Sequence, residues 1–194
     1  MNFFKKLFNI PAKEDKEVRK QEVELSLDDL FVHNFVEKGG KFLYCIQKTE
    51  VAENLRNILK ENNWSDLTLL DLDLSTFFKK KDVKVKKDFI TDVPILTSCE
   101  HLIADNGNIL FSSNQLKSVK LSEMPKNFIV FAKTSQLVKD MGQGLTGIKI
   151  NHKENLPTNI SAIKNYGIDK NDDNFLNYGN NNSKNLYLLL LEDL

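Results

Sequence analysis

With 194 residues the chain has the length of a single domain at ~150 residues each, so a second complete domain is not expected. Its 27 Lys and Arg balance 27 Asp and Glu, which excludes the strongly basic surface of a non-specific nucleic-acid binder. The hydrophobic share of 41% suffices for a core but not for a membrane protein, and the longest apolar run, Leu186 to Leu191, falls far short of a ~20-residue span.

Residues 1–10 place Phe3, Phe4, Leu7 and Phe8 on one helical face before Pro11 interrupts the pattern. This amphipathic stub is too short and carries too few lysines for more than weak membrane-surface contact. It also lacks the apolar stretch of a secretory signal, so a cytoplasmic location is expected. Ala12 to Glu24 mixes charges of both signs and reads as a solvated tether. The domain is expected over 25–194.

Ser26 and Asp29 resemble a capping box for a helix with Leu27, Leu30, Phe31 and Phe35 at helical spacing. Lys41 to Ile46, KFLYCI, reads as a buried strand. Thr49 is expected to cap a second helix through Lys60, and Leu67 to Leu72 follows as a strand. Strand, helix and strand within about thirty residues form a βαβ unit with parallel strands. Beyond the lysine-rich Phe77 to Asp88, a strand is expected at Val93 to Thr97. A hairpin is expected at His101 to Ala104 and Asn108 to Ser112, turning on Asn106-Gly107 with both residues at positive φ. Asn127 to Ala132 is another strand, Ser135 caps a short helix to Met141, and a helical turn is expected at Asn159 to Lys164. After the Asn-rich loop from Asn171 to Asn185, Leu186 to Leu191 closes the sheet.

Several constellations admit chemistry. Gly142-Gln143-Gly144-Leu145-Thr146-Gly147 matches GxGxxG, but it stands after the expected helix rather than after a strand, so Gly142 reads as a helix-ending residue. Asp71 and Asp73, at a strand's carboxyl end, suit acid/base work or a hard cation. Without a third ligand they read instead as solvating the strand end. Cys99 and His101 share a strand face, yet adjacent strand positions are poor geometry for a nucleophile and its base, and Cys45 and Cys99 read as reduced, buried thiols. His33 and His152 lack the spacing of metal ligands, and no metal is expected. Lys79, Lys80, Lys81, Lys84, Lys86 and Lys87 have neither arginines nor stacking aromatics beside them and read as a solvated face rather than a nucleic-acid site.

The stretch from Ile95 to Ala132 carries three blocks in order. They are His101-Leu102-Ile103-Ala104-Asp105-Asn106-Gly107-Asn108-Ile109-Leu110-Phe111-Ser112, then Leu121-Ser122-Glu123-Met124-Pro125, then Asn127-Phe128-Ile129-Val130-Phe131-Ala132. Together they resemble the central signature of the LUD-domain family, the lactate-utilisation protein C-like bacterial proteins, and a weaker match continues through Leu156 to Ile163. The resemblance spans about residues 25–194. It implies a three-layer α/β domain with a mostly parallel sheet and helices on both faces, similar to the ribose-phosphate isomerase and CoA-transferase-like fold. It also implies an accessory or ligand-binding component of lactate oxidation to pyruvate, without autonomous activity. Such a chain has no cofactor of its own and works beside iron–sulfur or flavin oxidoreductase subunits. The implied ligand site comprises Asp105, Asn106, Gly107, Asn108, Ser112, Thr158 and Asn159, with Asp105 as the polarising carboxylate. Asp105 to Asn108 replace the family's usual Glu-Thr-Gly-Thr, and the later Gly-Pro-Ser-x-Thr-Ala-Asp block has lost its glycine and its acid. The alternatives are a divergent isomerase or acyl-transfer enzyme of the same fold group, and a peripheral scaffold acting through residues 1–24.

Overall fold

A computed structural model describes residues 25–79, 83–86, 89–167 and 183–193. The stub, the tether and most of the Asn-rich loop lie outside the described residues. The first helix, α1 (Leu27–Glu37), starts where the cap pattern places it, with the Ser26 side chain accepting from the Asp29 backbone N–H. Strand β1 (Lys41–Cys45) leads into α2 (Lys48–Glu61), whose N-cap is Gln47 rather than Thr49. Gln47 makes no side-chain cap bond; Glu50 reaches back instead to the Ile46 N–H at 2.8 Å, one residue before the cap. Strand β2 (Asp66–Leu69) ends at a 3₁₀ segment, Leu72–Phe77, and β3 (Lys84–Lys86) follows.

Next come β4 (Ile95–Ser98), β5 (His101–Ile103), β6 (Asn108–Phe111) and the short α3 (Ser113–Leu116). They are followed by β7 (Asn127–Lys133), β8 (Leu137–Val138), α4 (Met141–Asn151), β9 (Ser161–Ile163) and β10 (Asn185–Leu191). The expected helix from Ser135 to Met141 is replaced by a 3₁₀ turn, Thr134–Gln136, and β8. Asn159 to Lys164 holds β9 rather than a helical turn, because Ser161 to Ile163 pair with Phe111 to Ile109.

Six strands form one wholly parallel sheet in the order β1-β10-β7-β4-β2-β3. The β1–α2–β2 unit is parallel as expected, but three strands lie between its two members. The apolar β10 does not close an edge; it sits between β1 and β7 and bonds to both. Side chains alternate across the pleat and so divide between two cores. Phe128, Val130, Ala132, Leu186, Leu188 and Leu190 face α1 and a second sheet. Ile129, Phe131, Leu189 and Leu191 face α2 and the 3₁₀ segment after β2. The second sheet, β8-β5-β6-β9, is apolar on both faces: Leu102 and Ile109 turn toward the large sheet, Ile103 and Leu110 toward α4. The face opposite α2 is thus covered by α1 together with a small sheet backed by a helix.

The β5–β6 hairpin forms, with Ile103 opposite Asn108, but its loop has four residues and Gly107 alone has positive φ, at 63°. Its tip docks on α1. Asn34 Nδ2 donates to the Ala104 carbonyl at 2.8 Å, Lys38 Nζ donates to the Asn106 carbonyl and to Asn108 Oδ1, and the Tyr166 hydroxyl donates to the Gly107 carbonyl at 2.6 Å. Tyr166 is 1% exposed and packs on the Phe35 ring. Tyr166→Phe leaves the packing and removes one buried donor, so urea unfolding is expected to show a loss of about 1–2 kcal/mol. An unchanged midpoint would mean that the tip is held by α1 alone.

Candidate functional site

Open α/β sheets hold ligands outside the carboxyl ends of their strands. Here the ends of β1, β7 and β10 open into a crevice of about 440 Å³ lined by Leu27, Asp28, Tyr44, Thr134, Ser135, Leu137 and Glu192, within the usual size of a small-molecule site. Asp193 forms its anchor. One carboxylate oxygen accepts from Thr134 Oγ1 at 3.0 Å and the Ser135 N–H at 2.9 Å, and the other accepts from Ser135 Oγ at 2.8 Å. Partial desolvation pushes this carboxyl up, but the Ser135 and Thr134 donors and the Lys133 charge outweigh it and hold it below the ordinary carboxylate range. Desolvation and the adjoining Glu192 and Asp28 carboxylates push the Tyr44 phenol up. The crevice wall therefore offers hydroxyls and negative charge.

The edge continues through Gln136, whose Nε2 donates to the Cys99 carbonyl at 2.6 Å and the Glu100 carbonyl at 3.1 Å. Glu100, 9% exposed, follows β4 and turns its carboxylate into the junction of β6, α3 and α4. Its Oε1 accepts from Ser112 Oγ at 2.5 Å, Asn114 Nδ2 at 3.1 Å and Gln115 Nε2 at 3.1 Å, while Oε2 lies 3.3 Å from His152 Nε2. Burial pushes Glu100 up, and the hydrogen bonds from Ser112, Gln115 and His152 together pull it further down, so the group is held as a carboxylate. Sequence reasoning missed this cluster. One signal was present: Ser112 and Gln115 have the S-x-x-Q spacing of a capping box, which the structure forms at α3.

The residues of the implied ligand site fall into two groups. Asp105, Asn106, Gly107 and Asn108 form the hairpin tip against α1, where Asp105 is exposed, Asn106 half-buried and Asn108 buried. Ser112 lies at the other end of β6, about 13 Å along a strand at ~3.3 Å per residue. Thr158 joins Ser112 at the head of α3, its N–H donating to Ser113 Oγ and its carbonyl accepting from the Ser113 N–H, both at 2.9 Å. Asn159 adjoins Thr158, donating from Nδ2 to the Val119 carbonyl at 3.3 Å. The structure thus brings Ser112, Thr158 and Asn159 together and places the Asp105 to Asn108 tip apart from them.

Asp71 caps the 3₁₀ segment through the Asp73 N–H at 3.0 Å and accepts from Ser98 Oγ at 2.7 Å, a structural use of the strand end. Cys99 is buried, and desolvation followed by the Glu100 charge pushes its thiol far up, which removes it as a nucleophile at neutral pH. His101 directs Nδ1 to the Gln136 carbonyl at 3.2 Å, and its buried Nε2 has no partner among the described residues. The ring lies against Gly147, where an added Cβ would stand 2.5 Å from Nε2.

That contact explains the GxGxxG string, which lies inside α4. Gly142 has no positive φ and ends no helix, which corrects the sequence reading. The helix follows the short β8, but it begins before the first glycine, and the Asp140 carboxylate occupies the Gln143 N–H at 2.9 Å. A carboxylate there repels a phosphate, and Gly144 and Gly147 instead allow close packing on Ile103 and His101 of β5. Among the described residues no group of three His, Cys, Asp or Glu side chains is placed to hold a metal ion. No helix among them is long and apolar enough to cross a membrane.

No curated protein matches the chain. Among solved structures, a DUF162 family protein from Deinococcus radiodurans superposes with a TM-score of 0.62 at 12% identity, covering 87% of this chain and 99% of its own. At that identity the likeness bears on the fold. A family model, the LUD domain, matches residues 29–191, from α1 to the end of β10. With most of its length matched, and with the family's signature blocks forming the β5–β6 hairpin and β7, the chain belongs to the LUD-domain family.

Proposed function

We propose that this LUD-domain chain is an accessory component of a system oxidising L-lactate to pyruvate, acting beside iron–sulfur or flavin oxidoreductase subunits. Membership of a family associated in general with lactate utilisation supplies the context. The observation that carries the accessory reading is the charge of the carboxyl-edge crevice. Asp28 and Glu192 line it and Asp193 anchors it, and three carboxylates repel the anions of lactate and pyruvate. A neutral polyhydroxyl group or a cationic partner side chain suits the hydroxyls of Tyr44, Thr134 and Ser135 better. The redox step then belongs to another subunit.

The test is to tag the protein in its own cells, grow them with and without lactate, and identify what co-purifies by mass spectrometry. An iron–sulfur or flavin oxidoreductase enriched on lactate is the expected result. Its recovery should fall when Asp28→Asn and Glu192→Gln are combined, because the wall then keeps only the Asp193 carboxylate, which Lys133 faces at 3.9 Å. Recovery of the chain alone in both conditions would overturn the accessory reading and favour a divergent small-molecule enzyme using the same crevice.

A further inference from the structure

At the amino edge of the parallel sheet a lysine is buried with no acidic partner among the described residues. Lys184, immediately before β10, is 4% exposed. Its Nζ donates to the Met124 carbonyl at 2.9 Å and lies 5.5 Å from the centre of the Phe128 ring. No carboxylate among the described residues pairs with it. A buried cation without a counter-charge is costly, and proteins rarely keep one unless something else compensates it. Burial, followed by the neighbouring Lys126 charge, pushes the Lys184 ammonium down to about 8.

Lys184 borders a concavity of about 270 Å³ that Lys126, Thr91, Ser122, Phe89 and Glu123 also line. The two lysines outweigh the single carboxylate, and Glu123 is exposed and forms no ion pair with either. The hydroxyls of Thr91 and Ser122 belong to its lining. We propose that this concavity binds a small oxyanion, the carboxylate or phosphate group of a metabolite, between Lys184 and Lys126 with Thr91 and Ser122 as further donors. A bound oxyanion supplies the missing counter-charge and returns Lys184 toward the ordinary ammonium range. The site lies at the opposite end of β7 and β10 from the carboxyl-edge crevice, about 20 Å away along seven-residue strands. It stands independently of any role in lactate oxidation.

Calorimetric titration of the full-length protein with inorganic phosphate, and separately with acetate and pyruvate, tests the proposal. Lysine carbon NMR follows the Lys184 titration in parallel. At least one anion is expected to bind with a dissociation constant of about 1 mM or below and to raise the Lys184 titration midpoint. Tighter phosphate binding identifies a phosphate ester as the ligand class, and tighter acetate or pyruvate binding identifies a carboxylate. Lys184→Met, which can still pack on Phe128, should weaken binding roughly tenfold or more through loss of a charged hydrogen bond. Lys126→Ala should weaken it about threefold as a more exposed charge. Should Lys184→Met fail to fold, the NMR midpoint of the wild type and the Lys126→Ala titration decide. No anion moving the Lys184 midpoint up to about 10 mM, or unchanged binding in Lys184→Met, would overturn the proposal.

Discussion

Glu100→Leu is expected to lower stability by about 2–4 kcal/mol at neutral pH. The carboxylate is the shared acceptor for Ser112, Asn114 and Gln115, and its other oxygen faces His152. Removing it leaves Ser112, which is fully buried, and the half-buried Gln115 with unsatisfied donors, at about 1–3 kcal/mol each. Asn114 is exposed and His152 partly so, and both can turn to water. Glu100→Gln keeps one carbonyl acceptor and should lose only about 1–2 kcal/mol.

The effect should depend on pH with a definite sign. The native hydrogen bonds hold Glu100 below its ordinary value of 4.5. Its charge-dependent contribution is therefore fully present above pH 4.5 and is lost as pH falls through the lower native value. Urea unfolding at pH 7 and in the acid range should show the wild-type advantage over Glu100→Gln shrinking below about pH 4.5. An advantage that grew on acidification would contradict the assigned carboxylate.

Gly107→Ala is expected to be at least as damaging, at about 3–5 kcal/mol, from left-handed strain plus forced displacement of backbone. Gly107 has φ +63°, and an added Cβ would stand 2.6 Å from the Asn34 carbonyl carbon and from the Phe35 nitrogen. Those atoms belong to the middle of α1, so no side-chain rotation relieves the contact. The hairpin tip must lift, and the Tyr166 bond to the Gly107 carbonyl and the Lys38 bonds to Asn106 and Asn108 go with it. Gly107→Asn separates the two causes. Asparagine tolerates left-handed φ, so if strain alone mattered it would be well accepted. Since close approach dominates, the two variants should unfold at similar urea concentrations, and near-wild-type stability of Gly107→Asn would refute the packing argument.

Where neighbours in sequence decide the outcome, the chain could be read directly. The Ser26 cap, the spacing of Phe31 and Phe35, and the position of the hairpin depend on residues within a few places of one another. The resemblance of Ile95 to Ala132 to the LUD-domain family rested on contiguous blocks of the same kind. Local rules failed where a distant segment competed. Ser135 has the chemistry of a helix cap, yet its hydroxyl is taken by Asp193, 58 residues on. Gly142 suggested a helix end because nothing nearby shows that α4 begins at Met141 and packs Gly147 against a buried histidine ring.

The sites were less legible than the fold for the same reason. Glu100 is one unremarked acid between two residues weighed for catalysis, and its partners stand 12 to 52 positions away. Lys184 follows an Asn-rich stretch and gains its setting from Met124 and Phe128, far back in the chain. By itself the sequence determined the class of the domain, its first two helices, most of its strands and its family. Periodicity, capping and turn chemistry are local energies, and contiguous motifs survive without knowledge of packing. Only the tertiary structure decided that β10 runs between β1 and β7, that the hairpin tip docks on α1 while Ser112 joins Thr158, and that Lys184 is buried with no counter-charge among the described residues. Those outcomes depend on which remote surfaces exclude water together, a competition among all segments at once that no short window of sequence contains.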